Sequence, residues 1–246
     1  MRKKVRIDKL LFEKGLAPSR ERAQSYIMSG NVLANEQKIE KPGIRVFDDV
    51  VIRVKGFDQP YVSRGGLKLE KALDAFNIPV NHLIAMDVGA STGGFTDCLL
   101  QRGASYVYAI DVGYGQLAWK LVSDTRVKNM ERTNFRHMSF SKIGTYVDLI
   151  VIDVSFISLT KILEHCLLFL IKGGVLIALI KPQFEAGKEN IEKRGVVVKH
   201  GVRAKVIESI RCFAEKVGFA VEKIEDSPIQ GKKSGNMEYL ILLRKR

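Results

Sequence analysis

Residues 83 to 103 read L-I-A-M-D-V-G-A-S-T-G-G-F-T-D-C-L-L-Q-R-G. An apolar run feeds Asp87 and Gly89 into a glycine-rich turn, and beyond it Phe95, Leu99 and Leu100 recur at the spacing of a helix with one buried face. Strand, glycine turn and helix in that order open a nucleotide-type α/β unit. The turn Gly89-Ala90-Ser91-Thr92-Gly93-Gly94 departs from G-x-G-x-x-G, because Ser91 stands where the middle glycine would be, so it selects no dinucleotide by itself.

Downstream the same design repeats. Y-V-Y-A-I-D-V ends in Asp111, an acid placed to accept hydrogen bonds from a ribose diol, and V-D-L-I-V-I-D-V-S-F delivers Asp153. The run Cys166 to Ile180 reads as a helix end, a Gly173-Gly174 turn and a buried strand that delivers Lys181. Each strand presents its polar residue at the carboxyl end, where ligands bind in open parallel sheets. In L-I-K-P-Q-F-E, Pro182 punctuates the chain directly after that lysine. The last strand, E-Y-L-I-L-L-R-K-R, carries Glu238 at its start; if it runs antiparallel, Glu238 joins Lys181 and Asp153 at one edge. The expected fold is therefore α/β, a Rossmann-like sheet that is mostly parallel with an antiparallel last strand.

Ahead of this domain the pattern changes. Ile7, Leu10 and Leu11 stripe a first helix that Gly15 ends, and Ser19 caps a second with Ala23, Tyr26 and Ile27 inward. Strand-like pieces follow at Val32 to Ala34 and Asp48 to Val54, with turns at N-E-Q and K-P-G. The segment G-F-D-Q-P-Y, residues 56 to 61, reads as a joint.

The chain has 246 residues, ample for one large domain with an appendage. Forty basic against 27 acidic residues leave a net charge of +13, which favours polyanionic partners such as nucleic acid. Cys98, Cys166 and Cys212 are odd in number and widely spaced, indicating neither disulfides nor a metal site and pointing to a reducing compartment. His82, His137, His165 and His200 have no metal-ligand spacing. The basic N-terminus lacks an apolar region behind it, and the most apolar segment is too interrupted to span a bilayer, so a cytoplasmic protein is expected.

Two resemblances sharpen this reading. S-R-E-R-A-Q-S-Y-I-M-S-G-N-V, within two short helices and a small ribbon, resembles the α-L RNA-binding domain named for a ribosomal small-subunit protein. Five ordered motifs, Y-V-S-R-G-G-L-K-L-E-K-A-L, D-V-G-A-S-T-G-G-F-T-D, I-D-V-S-F-I-S-L, I-K-P-Q-F-E and N-M-E-Y-L, together resemble the TlyA or haemolysin A-like family. That family joins an FtsJ-type methyltransferase fold to the RNA-binding domain. The resemblance implies residues 1–58 as the RNA-binding domain, 59–62 as linker and 63–246 as the methyltransferase domain.

It further implies methyl transfer from S-adenosylmethionine to the ribose 2′-hydroxyl of a cytidine, with ribosomal RNA or a ribosomal subunit as partner. By motif, the Lys-Asp-Lys-Glu tetrad of FtsJ-like enzymes falls on Lys68, Asp153, Lys181 and Glu238. Whether Lys181 is a neutral base or a charged positioner stays open, and V-S-F after Asp153 replaces the proline-containing turn of the FtsJ branch. The cofactor would meet Asp87, Gly89, Ser91, Thr92, Gly93, Gly94, Asp111, Thr133, Asn134 and Asp153, although Thr133 and Asn134 fit a polar loop nearly as well. Phosphate contacts would come from Arg6, Arg20, Arg22, Lys38, Lys41 and Arg64, which position RNA without reading its sequence.

Some features carry two readings. The charged loop of residues 185 to 195 reads as a lid over RNA or as a solvated connection. Trp119 and Tyr114, just after Asp111, read as core or pocket wall. Competing functions are a non-catalytic RNA-binding or ribosome-assembly factor, an NAD-dependent oxidoreductase and a membrane-active haemolysin.

Overall fold

The computed structural model describes residues 3–17, 19–55, 60–187, 190–192, 196–197, 200–229 and 235–246. Contacts divide the chain into two units, Met1–Pro60 and Tyr61–Arg246. Most of the expected joint, residues 56–59, lies outside the described residues, as do 188, 189 and 193–195 of the charged loop.

The first unit contains β1 (Lys4–Arg6), α1 (Ile7–Glu13), α2 (Arg20–Met28), β2 (Val32–Ala34), β3 (Gln37–Lys38), β4 (Arg45–Phe47) and β5 (Ile52–Val54). β1 pairs with β4, and β3-β2-β5 form a three-stranded sheet. The apolar stripes of both helices meet in a core of Ile7, Leu10, Leu11, Ala23 and Ile27, closed by Val32 and Val54. Ser19 caps α2 by accepting from the Arg22 backbone N–H. The expected strand from Asp48 is shorter than its apolar pattern suggests. Val50 N–H turns back to the Phe47 carbonyl, so pairing begins only at Ile52.

Asp8, which no sequence pattern singles out, is fully buried and organises this unit. Its carboxylate accepts from Arg6 Nε and Nη2 at 3.0 Å, Gln24 Nε2 at 3.0 Å and Arg20 Nη2 at 3.1 Å. The Arg6 guanidinium in particular, with Gln24 and Arg20, holds the carboxyl well below its usual range. Arg6 and Arg20 are thus fixed side by side with their outer faces in solvent. Asp8→Ala should lower unfolding stability by about 2 kcal/mol, discounted for the exposure of the arginines. Denaturant titration of the full chain measures this; an unchanged midpoint would show that the cluster contributes nothing.

The second unit runs α3 (Gly65–Phe76), β6 (Ile84–Val88), α4 (Gly94–Gln101), β7 (Tyr106–Ile110), α5 (Trp119–Val122), β8 (Val127–Met130) and β9 (Val147–Ile152). It continues through α6 (Leu163–Cys166), β10 (Leu170–Ile180), α7 (Pro182–Glu185), α8 (His200–Val217), β11 (Phe219–Asp226) and β12 (Tyr239–Lys245). Seven strands form one sheet in the order β11-β12-β10-β9-β6-β7-β8. β6 to β10 are mutually parallel, and β12 runs antiparallel to β10 and β11.

Strand alternation distributes the core to both faces. Leu149 and Val151 pack with Leu69, Leu73 and Leu99 on one face; Ile150 and Ile152 pack with Phe169, Ile210 and Phe219 on the other. The glycine pair after Lys172 does not end a strand, contrary to the expected turn. β10 already pairs at Leu170 with Val147, and the register shifts before Val175 meets Leu149.

Candidate active site

The strand order reverses between β6 and β9: the chain proceeds outward through β7 and β8, then crosses back to β9 and β10. Side chains leaving the carboxyl ends of these two strands border the crevice where open α/β sheets hold ligands. Pairing fixes which residues meet there. Ala178 lies opposite Ile152, and Ile180 opposite Tyr239, so the next residues out are Lys181, Asp153 and Glu238.

Pro182 determines what Lys181 does. Proline disfavours helical backbone in the residue before it while suiting the first helical position itself. Lys181 accordingly stays extended, at φ −114° and ψ 98°, and α7 begins at Pro182. Its ammonium lies 2.5 Å from Asp153 Oδ1 and donates to Ser155 Oγ at 3.2 Å. A second pair forms between Lys68 Nζ and Glu238 Oε2 at 2.5 Å. The Lys68 side chain is 12% exposed and Glu238 only 3%, so this pair is largely withdrawn from solvent. Two desolvated ion pairs at one edge are poor devices for stability, because desolvation offsets their attraction. They are suited to holding amines and carboxylates in fixed positions.

Beside them lies a cleft of about 520 Å³ whose lining includes Gly89, Ser91, Asp111, Thr133, Asn134 and Asp153. Asp111 binds the two loops together, its carboxylate accepting from Ser91 N–H at 2.8 Å and Gly113 N–H at 2.6 Å. Gly89 sits at φ +88°, and a Cβ there would lie 2.7 Å from the Asp153 carbonyl oxygen. Asp87 lies behind the turn rather than on the cleft wall. It is fully buried, and its Oδ2 accepts from the Thr96 N–H at 2.9 Å and the Thr96 hydroxyl at 2.7 Å, while Oδ1 has no hydrogen-bond partner.

Three residues of the glycine turn are placed differently from expectation. Thr92, Gly93 and Gly94 are absent from the cleft lining. Thr92 accepts from Ala118 N–H through its carbonyl. A Cβ on Gly93 would strike Leu121, and one on Gly94 would strike Ser63 and the Gly66 amide. Those two glycines let helices approach closely and shape the cleft from behind.

Sequence reasoning missed Ser155, Phe156, Gln116 and Arg136, which also line the cleft. Phe156 is 90% exposed with φ +66°, a backbone conformation that is strained for an aromatic residue. Its ring packs 5.1 Å from that of Phe184. The only advance signal was V-S-F itself, the departure from the FtsJ turn. Trp119 and Tyr114 are neither core nor pocket wall: they are 79% and 69% exposed. Tyr114 carries the Arg132 guanidinium 4.1 Å above its ring. Arg64, at the N-terminus of α3, and the basic residues Arg22, Lys38 and Lys41 of the first unit are all exposed, with Lys38 paired to Glu40.

Burial, reinforced by the charges of Asp153 and Asp111, pushes the Asp87 carboxyl up to about 7 against the Thr96 hydrogen bonds that lower it. Between pH 4 and 7 the folded chain therefore keeps a proton that the unfolded chain has released. Stability of the free protein should fall by roughly 1.4 kcal/mol per pH unit across that window from this group and level off above it. Asp87→Asn should remove that slope; a parallel fall in both proteins during thermal unfolding from pH 5 to 8 would assign it elsewhere.

The sheet order, the cleft at the strand-order reversal and the paired lysines and acids together define a methyltransferase of the Rossmann-like class. The chain belongs to the FtsJ-like methyltransferase family, whose model matches residues 61–245, and an S4 domain model matches residues 5–51. YqxC of Bacillus subtilis strain 168, provisionally assigned as an rRNA methyltransferase, is 49% identical over 242 residues, covering 98% of this chain and 86% of its own. The 16S/23S rRNA (cytidine-2'-O)-methyltransferase TlyA of Mycobacterium tuberculosis is 42% identical over 245 residues, covering 99% and 91%. A solved structure from Streptococcus thermophilus, provisionally named a hemolysin, aligns with a TM-score of 0.76 at 46% identity, covering 98% of this chain and 88% of that one.

The residues present fit S-adenosylmethionine. Gly89 and Ser91 put the backbone of the turn on the cleft wall, and Asp111 beside them keeps carboxylate lone pairs for ribose hydroxyls.

Proposed function

We propose that the protein methylates the ribose 2′-hydroxyl of a cytidine in ribosomal RNA, using S-adenosylmethionine. The observation that carries this is the Lys181–Asp153 pair at the cleft wall, with Lys68–Glu238 at the same sheet edge. The TlyA name of the Mycobacterium tuberculosis relative, and its match over nearly the whole chain, support the cytidine and the ribosomal substrate.

When bound, S-adenosylmethionine supplies a methyl group on a positive sulfonium. Gly89, Ser91 and Asp111 would hold its methionine and ribose portions and Thr133 and Asn134 its adenine, with Asp87 fixing the turn from behind through Thr96. Lys181 Nζ meets the ribose oxygen, either accepting its departing proton or orienting it as a charged group, and Asp153 fixes the amine in both cases. Lys68 and Glu238 fix the neighbouring sheet edge so that the ribose meets Lys181 in line with the cleft. Alignment of this kind supplies much of the acceleration of a displacement. Phe156, at the rim, offers an aromatic face to the RNA.

The first unit, taken as residues 1–58, brings Arg6, Arg20, Arg22, Lys38 and Lys41 to RNA phosphates, and Arg64 adds a contact from the methyltransferase domain at 63–246, after the 59–62 linker. Binding should weaken steeply with salt. Action on ribosomal RNA supports a cytoplasmic protein. Among the described residues no helix is long and apolar enough to cross a membrane.

Mapping ribose methylation in ribosomal RNA from cells with and without the protein tests the reading. One or more cytidines should lose the modification and regain it when purified protein and S-adenosylmethionine are added. An unchanged map would reject it.

A further inference from the structure

The residues around Lys181 and Asp153 belong to two segments that are separate in sequence and joined by side chains. One segment leaves β9 through Asp153, Ser155 and Phe156 into the turn at Leu159; the other leaves β10 through Lys181 into α7. Lys181 reaches Asp153 and Ser155, and the Phe184 ring packs against Phe156. The far end of the junction is made by Glu185, whose Oε1 accepts from the Leu159 backbone N–H at 2.8 Å. Because Leu159 is buried, its N–H has little access to water as a substitute partner. The carboxylate is largely desolvated, and burial raises its pKa despite the bonds from Ser158 and Leu159. A solvent-facing glutamate would show none of this.

We propose that Glu185 is a positioning residue for methyl transfer: by accepting from the Leu159 N–H it holds the Asp153–Phe156 segment against the helix that begins beside Lys181. This rests on the methyl-transfer reading above. Lys181 and Glu185 bracket α7, so the helix is pinned at both ends to the segment carrying Asp153. Loss of the second pin lets that segment tilt while the cofactor side of the cleft, built by β6 and β7, stays in place.

The test compares Glu185→Gln, which keeps an oxygen at the same reach, with Glu185→Asp, which keeps the charge but withdraws it by one methylene. Glu185→Gln should retain kcat to within about threefold, while Glu185→Asp should lose about 10- to 100-fold in kcat through misalignment. S-adenosylmethionine affinity by calorimetry should stay near wild type in both. Amide hydrogen exchange over residues 153–159 should quicken in Glu185→Asp alone, a readout that needs no substrate.

A loss in Glu185→Gln with Glu185→Asp retained would assign the effect to charge, and equal losses in both would show that an oxygen at that reach is not enough; either outcome, like wild-type kcat in Glu185→Asp, would overturn the proposal. A fall in cofactor affinity matching the fall in kcat would show general disruption and overturn it too. If wild-type protein methylates no RNA, the functional reading fails while exchange still decides the tether: quickened exchange in Glu185→Asp alone upholds it, and unchanged exchange overturns it.

Discussion

Lys181→Ala is expected to lose methyl transfer to ribosomal RNA by about 10³-fold or more, the scale on which a positioned proton acceptor contributes. The substitution removes the amine that sits 2.5 Å from Asp153 and leaves that carboxylate without its cation. Because Asp153 retains 21% exposure, water relieves part of the cost, and the fold should survive with a loss of about 1–2 kcal/mol. Affinity for S-adenosylmethionine should stay within about threefold, since Gly89, Ser91 and Asp111 are untouched. Transfer of labelled methyl groups, measured beside cofactor calorimetry, separates these quantities. Lys181→Met fills the same space without the amine and should fall equally far. Activity near wild type in either variant would remove Lys181 from the chemistry.

Gly89→Ala should act on the other half of the site. The residue sits at φ +88°, where an L side chain costs roughly 1–2 kcal/mol. Its new Cβ would lie 2.7 Å from the Asp153 carbonyl oxygen and 3.1 Å from Val154 Cγ1. The Asp153 backbone is anchored, its N–H donating to the Val88 carbonyl at 3.1 Å, so it has little freedom to retreat. The turn itself must therefore move, and Ser91, which grips Asp111 through its backbone N–H, moves with it. Cofactor affinity should fall by about 30-fold or more, equivalent to roughly 2 kcal/mol, with activity falling alongside. Calorimetry showing wild-type affinity would mean that the close approach at Gly89 has no part in binding.

Both predictions concern residues visible in the sequence, and the reason they were visible is general. Central parallel strands are buried on both faces and read as apolar runs, so Asp87, Asp111, Asp153 and Lys181 stood out as polar residues at the ends of such runs. The strands missing from that reading are β8 and β11, the two edges of the sheet, whose residues are mostly half-exposed or exposed. Edge strands lack the continuous apolar run that marks their neighbours.

Side-chain pairing was harder to read. Asp8 and Lys68 look like solvent-facing members of amphipathic helices, and only tertiary structure shows one accepting from two arginines and the other paired with Glu238. Thr92, Gly93 and Gly94 were legible as a tight turn, but whether a glycine makes room for a ligand or for a helix depends on what packs against it. Here Leu121 and Ser63 decide the matter. The exposed Phe156 had no signal beyond an unusual tripeptide, because neither periodicity nor composition reports which way a single loop side chain turns.

The antiparallel β12 brings together Lys68 and Glu238, which are 170 positions apart. During synthesis, every other strand of the sheet emerges before the one that seats this acid. A nascent chain from which β12 has not yet emerged would therefore hold an incomplete constellation, with Lys68 in place and its acid still to come.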